Sequence, residues 1–403
     1  MSARRADGSI RGPERLSQTI SKPFQSTEAG TIGDNDSSIT RAAVEEWLGG
    51  AYPEIHQDIQ VYHRFNRLKF VFIIACIIVA FITAGYALSI GEYDLSFMET
   101  YSLLWYHILG DVPEELGIQE YVVWTLRAPR VLGGLLAGAA LSVGGVMMQG
   151  LLKNPLADTY TTGISSGASL GATLAICAGF SVVAGQYSLV VNAFIFSLIP
   201  MFVILSVSKL KNASVTTIIM AGIAIMYLFN AITSLMKIWA ESAALSEVFE
   251  WTVGDLTGLK WEEVIVMAAI VIPGIIALMF LSEKLNAMMM GDEQARALGV
   301  DVETFRLICL LITSLVTASV VCFTGLIGFI GLVCPHIVRM MIGSDNRLLI
   351  PASAAFGAAF LLVCDVIGRV IIAPSTLQVG IITSFIGGPV FLYLIIKQRR
   401  TGW

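Results

Sequence analysis

Three groups of residues in this 403-residue sequence could do chemistry. The first is Gly163-Ile164-Ser165-Ser166-Gly167, which fits G-x-S-x-G. With His336 it could form a Ser–His pair, as in an intramembrane serine hydrolase. That motif needs a sharp strand-to-helix turn, and no strand is plausible in this stretch. Ser165, Ser166 and Ser169 read better as small helix residues that satisfy their own hydroxyls, and a lone His336 as a hydrogen-bonded packing residue. The second group is Arg127, Arg130 and Arg369, with Asp365 four residues before the last. An i,i+4 ion pair is the economical reason for a carboxylate in so apolar a run. Arg127 and Arg130 could snorkel to a membrane interface or hold a carboxylate from outside. The third group is six cysteines, all inside apolar stretches and none in a CxxC, which makes them small buried side chains. There is no GxxxxGK[ST] sequence, so the chain has no Walker A route to ATP hydrolysis.

The elements that position these residues are membrane helices. The chain is 56% hydrophobic and only 14% charged, where a soluble domain carries roughly a quarter charged residues. The deficit comes from uncharged runs long enough to cross a hydrocarbon core of about 30 Å. Ten spans are expected, near 70–90, 128–152, two within 159–208 divided at Gly185-Gln186, 213–237, 262–282, 304–324, 326–342, 350–371 and 378–396. Residues 1–66 form a polar, largely disordered cytoplasmic extension, with a short amphipathic helix over Thr40–Leu48, and 67–403 form the ten-helix domain. An acidic loop follows the first span, and an interfacial helix is expected around Leu245–Trp251. No cleavable signal peptide is visible before the first span.

Orientation follows from the basic residues. Arg64, Arg67 and Lys69 precede the first span and put the N-terminus in the cytoplasm. Alternation places Lys153, Lys209, Lys211, Lys284, Arg296, Arg339 and Arg347 on that side, the acidic loops outside and both termini inside. Arg127, Arg130 and Arg369 are the outside exceptions. Pro335-His336 lies within the eighth span, where the proline frees a carbonyl one turn back for polar neighbours. Small residues such as Gly138, Gly144 and Gly145 let the helices approach closely.

One stretch outside the spans stands apart. Gly291-Asp292-Glu293-Gln294-Ala295-Arg296-Ala297-Leu298-Gly299 reads as a two-turn helix, capped by Asp292 and stopped by Gly299. So short a helix is marginal alone and must rest against something. Ala295 and Leu298, three apart, share the face expected to point outward, with Ala297 off it.

GDEQARALGV at 291–300, followed by GLIGFIGLVCPHIVRMMIG at 325–343, resembles the FecCD-type permeases of ABC importers for vitamin B12, ferric siderophores and haem. The resemblance spans about residues 70–400 and implies an all-α, ten-helix permease of the plasma membrane acting as a homodimer. It also implies two partner ATPase subunits and one extracytoplasmic substrate-binding protein, with ATP and Mg on the ATPases, no cofactor on this chain and no role for nucleic acid. By the same resemblance Gly291, Asp292, Glu293, Ala295, Arg296, Leu298 and Gly299 couple to the ATPase. Arg127, Arg130 and Arg369 receive acidic residues of the binding protein. Asn154, Pro155 and Leu156, with Ser214 and Thr216, narrow the cytoplasmic mouth. A ferric siderophore is the first expectation for the cargo, then cobalamin, then haem. Against this stand an intramembrane serine hydrolase and a proton-coupled secondary transporter, the latter disfavoured because few carboxylates lie inside the spans.

Overall fold

The computed structural model describes residues 53–398, apart from 92, 94, 111–112, 209–214 and 374. The expected helix at Thr40–Leu48, most of the N-terminal extension, Ser214 and the Lys209/Lys211 pair lie outside the described residues. The chain divides into the units Met1–Arg64 and Phe65–Trp403, and the second holds the sites.

It is helical throughout, with no strand among the described residues. Helix α1 is Pro53–Ser89, and α2 is Phe97–Leu109. Helix α3 runs unbroken over Gly117–Leu151, wound as a π-helix between Tyr121 and Arg127. Then come α4 (Ile164–Ala178), α5 (Ser188–Ser208), α6 (Val215–Ile238), α7 (Ser242–Val253) and α8 (Trp261–Phe280). Two short helices, α9 (Ser282–Met290) and α10 (Asp292–Ala297), precede α11 (Val302–Thr324). The chain closes with α12 (Ile330–Ile342), α13 (Asn346–Val370) and α14 (Val379–Gln398).

Seven of these helices are long and apolar enough to cross a membrane. Three shorter apolar helices, α4, α12 and Val379–Leu394 of α14, occupy the remaining expected positions. The helix expected around Leu245–Trp251 is present as α7. The acidic loop differs from expectation, because it contains α2. Its signal was legible: Ser96 accepts from the Glu99 N–H while Glu99 accepts from the Ser96 N–H, and Gly110 ends the helix with positive φ. The eighth span starts later than expected, at Ile330, after Gly325 and Phe329 take left-handed conformations.

The core is built around α3, whose segment Ala128–Leu151 is buried along almost its whole length. That burial needs small residues. A Cβ on Gly138 would overlap the Gly357 carbonyl of α13, and one on Gly145 would overlap the Gly331 carbonyl of α12. The close approach at Gly331 also resolves Pro335. Proline donates no hydrogen bond to the carbonyl four residues back, and Gln149 Nε2 of α3 donates to that Gly331 oxygen at 3.3 Å. Ile74, Ile78 and Phe81 on α1 and Phe280 on α8 are exposed, which suits helices surrounded by lipid.

Replacing Gly145 by Ala forces α3 away from α12. The expected cost is about 1–3 kcal/mol, read as a lower thermal midpoint of the detergent-solubilised protein. Replacing Gly117, whose Cβ would meet nothing, is the matched control.

Candidate functional site

At one end of the bundle, where α1 and α13 finish and α3 begins, the three arginines meet. A helix end leaves carbonyls without intrahelical partners, and those of α1 are taken up by guanidiniums. Arg127 Nη1 donates to Leu88 O (3.0 Å) and Ser89 O (2.8 Å), and its Nη2 to Tyr93 O (2.6 Å). Arg369 Nη1 donates to Ala87 O (2.8 Å) and Ile90 O (3.4 Å). Asp365, with no exposed side-chain surface, lies between two arginines. Arg130 donates to its Oδ1 through Nε (3.0 Å) and Nη2 (2.7 Å). Arg369 donates to Oδ2 through Nε (2.9 Å) and through Nη2.

The i,i+4 pairing of Asp365 with Arg369 is therefore present, and Arg130 joins it from 235 residues away. Sequence spacing carries no signal for that contact. The exposed guanidiniums expected here are not found: Arg127, Arg130 and Arg369 are 6%, 8% and 6% exposed. They form the floor of a cleft of about 690 Å³, with Lys260 and Thr257 on its wall. Beside it, α2 is held by His107, which pairs with Glu120 and stacks on Trp124 at 3.8 Å.

At the other end, α9 and α10 are tied to the bundle at two points. Asn286 of α9 donates to Asp345 Oδ1 (2.7 Å) and accepts from the Asn346 side chain (2.7 Å) and N–H (2.9 Å). Asp292 opens α10 as its first residue, with Gly291 in the cap position. Contrary to the expectation from sequence, it does not cap the helix. Its carboxylate accepts instead from Lys153 Nζ (2.6 Å) and Arg306 Nη2 (2.9 Å). Lys153 follows α3 in a left-handed conformation, and Arg306 is buried in the first turns of α11. Burial works to raise the Asp292 carboxyl, but bonds and charge from Lys153 and Arg306 outweigh it and hold it below the ordinary carboxylate value. The clasp is formed at neutral pH and is lost as pH falls through the depressed value of that carboxylate.

Gly299, with φ +82°, ends α10 as expected, and the Val300 N–H bonds back to Ala295 O at 3.0 Å. The expected outward face needs correction. Ala295 is fully buried against the bundle with Leu285 and Met288, whereas Leu298 is 65% exposed. Ala297, expected off that face, is exposed together with Glu293, Gln294 and Arg296.

Beside Lys153, Asn154 Oδ1 accepts from the Leu156 N–H (3.0 Å), and Leu156 is half exposed. Asn154 and Pro155 line a small cavity with Gln149 and Arg339. Thr216 is exposed at the start of α6. His336 is buried edge-on to Phe391. Among the described residues no hydrogen bond joins His336 to Ser165, and the Ser165 hydroxyl neighbours Tyr160 instead, so the two do not form a catalytic pair. Ser166 satisfies its own hydroxyl on Gly163 O (2.8 Å), but Ser165, expected to do likewise, does not.

Residues 73–397 match the model of the FecCD transport family. The chain is 39% identical over 281 residues to the hemin transport system permease HmuU of Yersinia pestis, covering 69% of this chain and 84% of that protein. It is 36% identical to the cobalamin import system permease BtuC of Halobacterium salinarum, covering 70% and 76%. A solved structure of a metal-chelate-type ABC transporter in an inward-facing conformation superposes with a TM-score of 0.70 at 28% identity, covering 81% of this chain and 99% of that one.

Truncating Asp365 to Ala strands two buried guanidiniums. The expected destabilisation is about 3–5 kcal/mol, read as loss of the folded peak in size-exclusion chromatography or a fall in thermal midpoint. An exposed ion pair such as Arg296–Glu303 is expected to tolerate the same truncation within about 1 kcal/mol.

Proposed function

From the premise that this chain belongs to the FecCD transport family, we propose that it carries an iron chelate, a ferric siderophore or a related metal chelate such as cobalamin or haem. The chain is a multi-pass permease of an ABC importer, and ATP is hydrolysed by a separate subunit. In this reading two copies line the path between them, two ATPases sit on the cytoplasmic side and one binding protein docks outside. The three shorter apolar helices cross with the seven long ones, and both termini are cytoplasmic.

The observation that carries the mechanism is the Asp292 clasp. It ties the short helix α10 to Lys153, next to the Asn154-Pro155-Leu156 turn, and to Arg306 at the start of α11. In alternating access, ATPase closure pushes on α10. The buried Ala295 and the two ion pairs then pass that displacement to α3 and α11 together, moving the turn that narrows the cytoplasmic mouth. Leu298, a large exposed apolar side chain on this segment, is the contact a hydrophobic ATPase cleft would enclose. At the opposite end, the basic cleft over Arg127, Arg130 and Arg369 receives carboxylates of the binding protein. Because the guanidiniums already hold α1 and Asp365, docking shares or exchanges existing bonds.

Replacing Leu298 by Asp would place a charge in that desolvated contact, at a cost of several kcal/mol. Normal insertion with loss of transport-linked ATP hydrolysis is expected, and normal uptake by the variant complex would refute the coupling role. For orientation, a cysteine at Glu114 is expected to react with an impermeant reagent added outside intact cells, and one at Lys211 to stay unlabelled. The reverse pattern would invert the topology.

A further inference from the structure

Arg339 is a cation without a counter-charge. It sits in the last turn of α12, half-buried. Its one hydrogen bond among the described residues runs from Nη1 to Gln149 Oε1, at 3.0 Å. Its Nε is buried and has no partner. None of the ion pairs among the described residues includes it. A guanidinium keeps its proton in proteins, so Arg339 does not escape the problem by becoming neutral. The carbonyls that end α12 offer only about half a negative charge, and Gln149 offers a neutral amide. A full charge drawn out of water on those terms is costly.

The space beside it is a cavity of about 180 Å³, lined by Gln149, Lys153, Asn154, Arg339 and Ser344 among others. Every one of these side chains carries a hydrogen-bond donor, and no carboxylate is in the lining. Asp345, next to Ser344 in sequence, is exposed and accepts from Asn286 instead. Lys153 spends one donor on Asp292 Oδ1, and Asp292 is shared with Arg306. Three cations, Lys153, Arg306 and Arg339, therefore have one carboxylate between them. Two of the three face a single cavity, where they repel each other unless an anion lies between. The planar fork of Arg339 matches two oxygens of an oxyanion, and the Lys153 ammonium takes a third as a point charge.

We propose that this cavity is a binding site for a phosphate group, held between Arg339 and Lys153 with Asn154 and Ser344 as neutral donors. Free phosphate and the headgroup of a phospholipid present the same chemistry. Held there, the group ties the end of α3 to α12 and competes with Asp292 for Lys153, so its occupancy weakens the clasp on α10. The binding itself does not depend on the importer reading, and a failure of uptake would leave it standing.

The test follows acetylation of Lys153 by peptide mass spectrometry, in the nucleotide-free permease–ATPase complex stripped of lipid in a maltoside detergent. Exposed Lys284 is the internal standard. One arm compares sodium phosphate with sodium chloride at equal ionic strength, and the other adds phosphatidylglycerol in chloride. A saturating ligand is expected to slow Lys153 labelling about tenfold relative to Lys284. Protection in the first arm identifies a free anion, and protection in the second a lipid headgroup. Arg339→Gln is expected to abolish either. Ser344→Asp is expected to do the same by adding a negative charge at the rim, and because Ser344 is exposed this variant keeps the test decisive if Arg339→Gln fails to fold. No protection in either arm would mean that water or an ATPase side chain fills the cavity. Protection that persists in the folded variants would mean that the ligand screens Lys153 from elsewhere. Either result overturns the proposal.

Discussion

Asp365 is the pivot of the helix bundle. A carboxylate with no exposed side-chain surface is tolerable in an apolar bundle only if its charge is met at bonding distance. Here both oxygens are met, by Arg130 from α3 and Arg369 from α13. The arginines face the same demand, and they spend their remaining donors on the open carbonyls at the end of α1. Arg127 completes that end. One buried charge thus joins the first, second and ninth expected spans, and the cleft above it is basic because that network is.

The opposite end repeats the logic with a lighter hand. Asp292 is about a third exposed and joins two cations from different helices. A partly hydrated clasp of this kind can be strained and re-formed, whereas breaking the buried pair around Asp365 would strand charges. The two ends therefore differ in what they can do. On the proposed reading, one resists deformation where a binding protein would press, and the other can yield where an ATPase would push. Between them, Gly138 and Gly145 bring α3 into backbone contact with α13 and α12, so a displacement entering at Lys153 acts on the helix that crosses the whole core.

Much of this was legible from residue order. Runs of apolar residues near twenty long set the helices, and the breaks at Gly185, Pro155 and Gly299 fell where the chain turns. The i,i+4 relation of Asp365 to Arg369 is a local fact, as is the carbonyl freed by Pro335. The motif around Gly291–Gly299 carried the family. The capping pair Ser96/Glu99 was equally local and was overlooked because acidic residues nearby made the segment read as loop.

What composition and spacing determined, then, is part of what neighbours within a turn or two govern: the places of the long apolar helices, the stop at Gly299 and the membrane character of the chain. Only the tertiary structure decided which side chain answers which. Arg130 reaches Asp365 across 235 residues and Lys153 reaches Asp292 across 139. Ala295 points inward and Leu298 outward because Ala295 fits against Leu285 and Met288. Helical periodicity says which residues share a face, but which face is buried depends on the shape and charge of the elements packed against it.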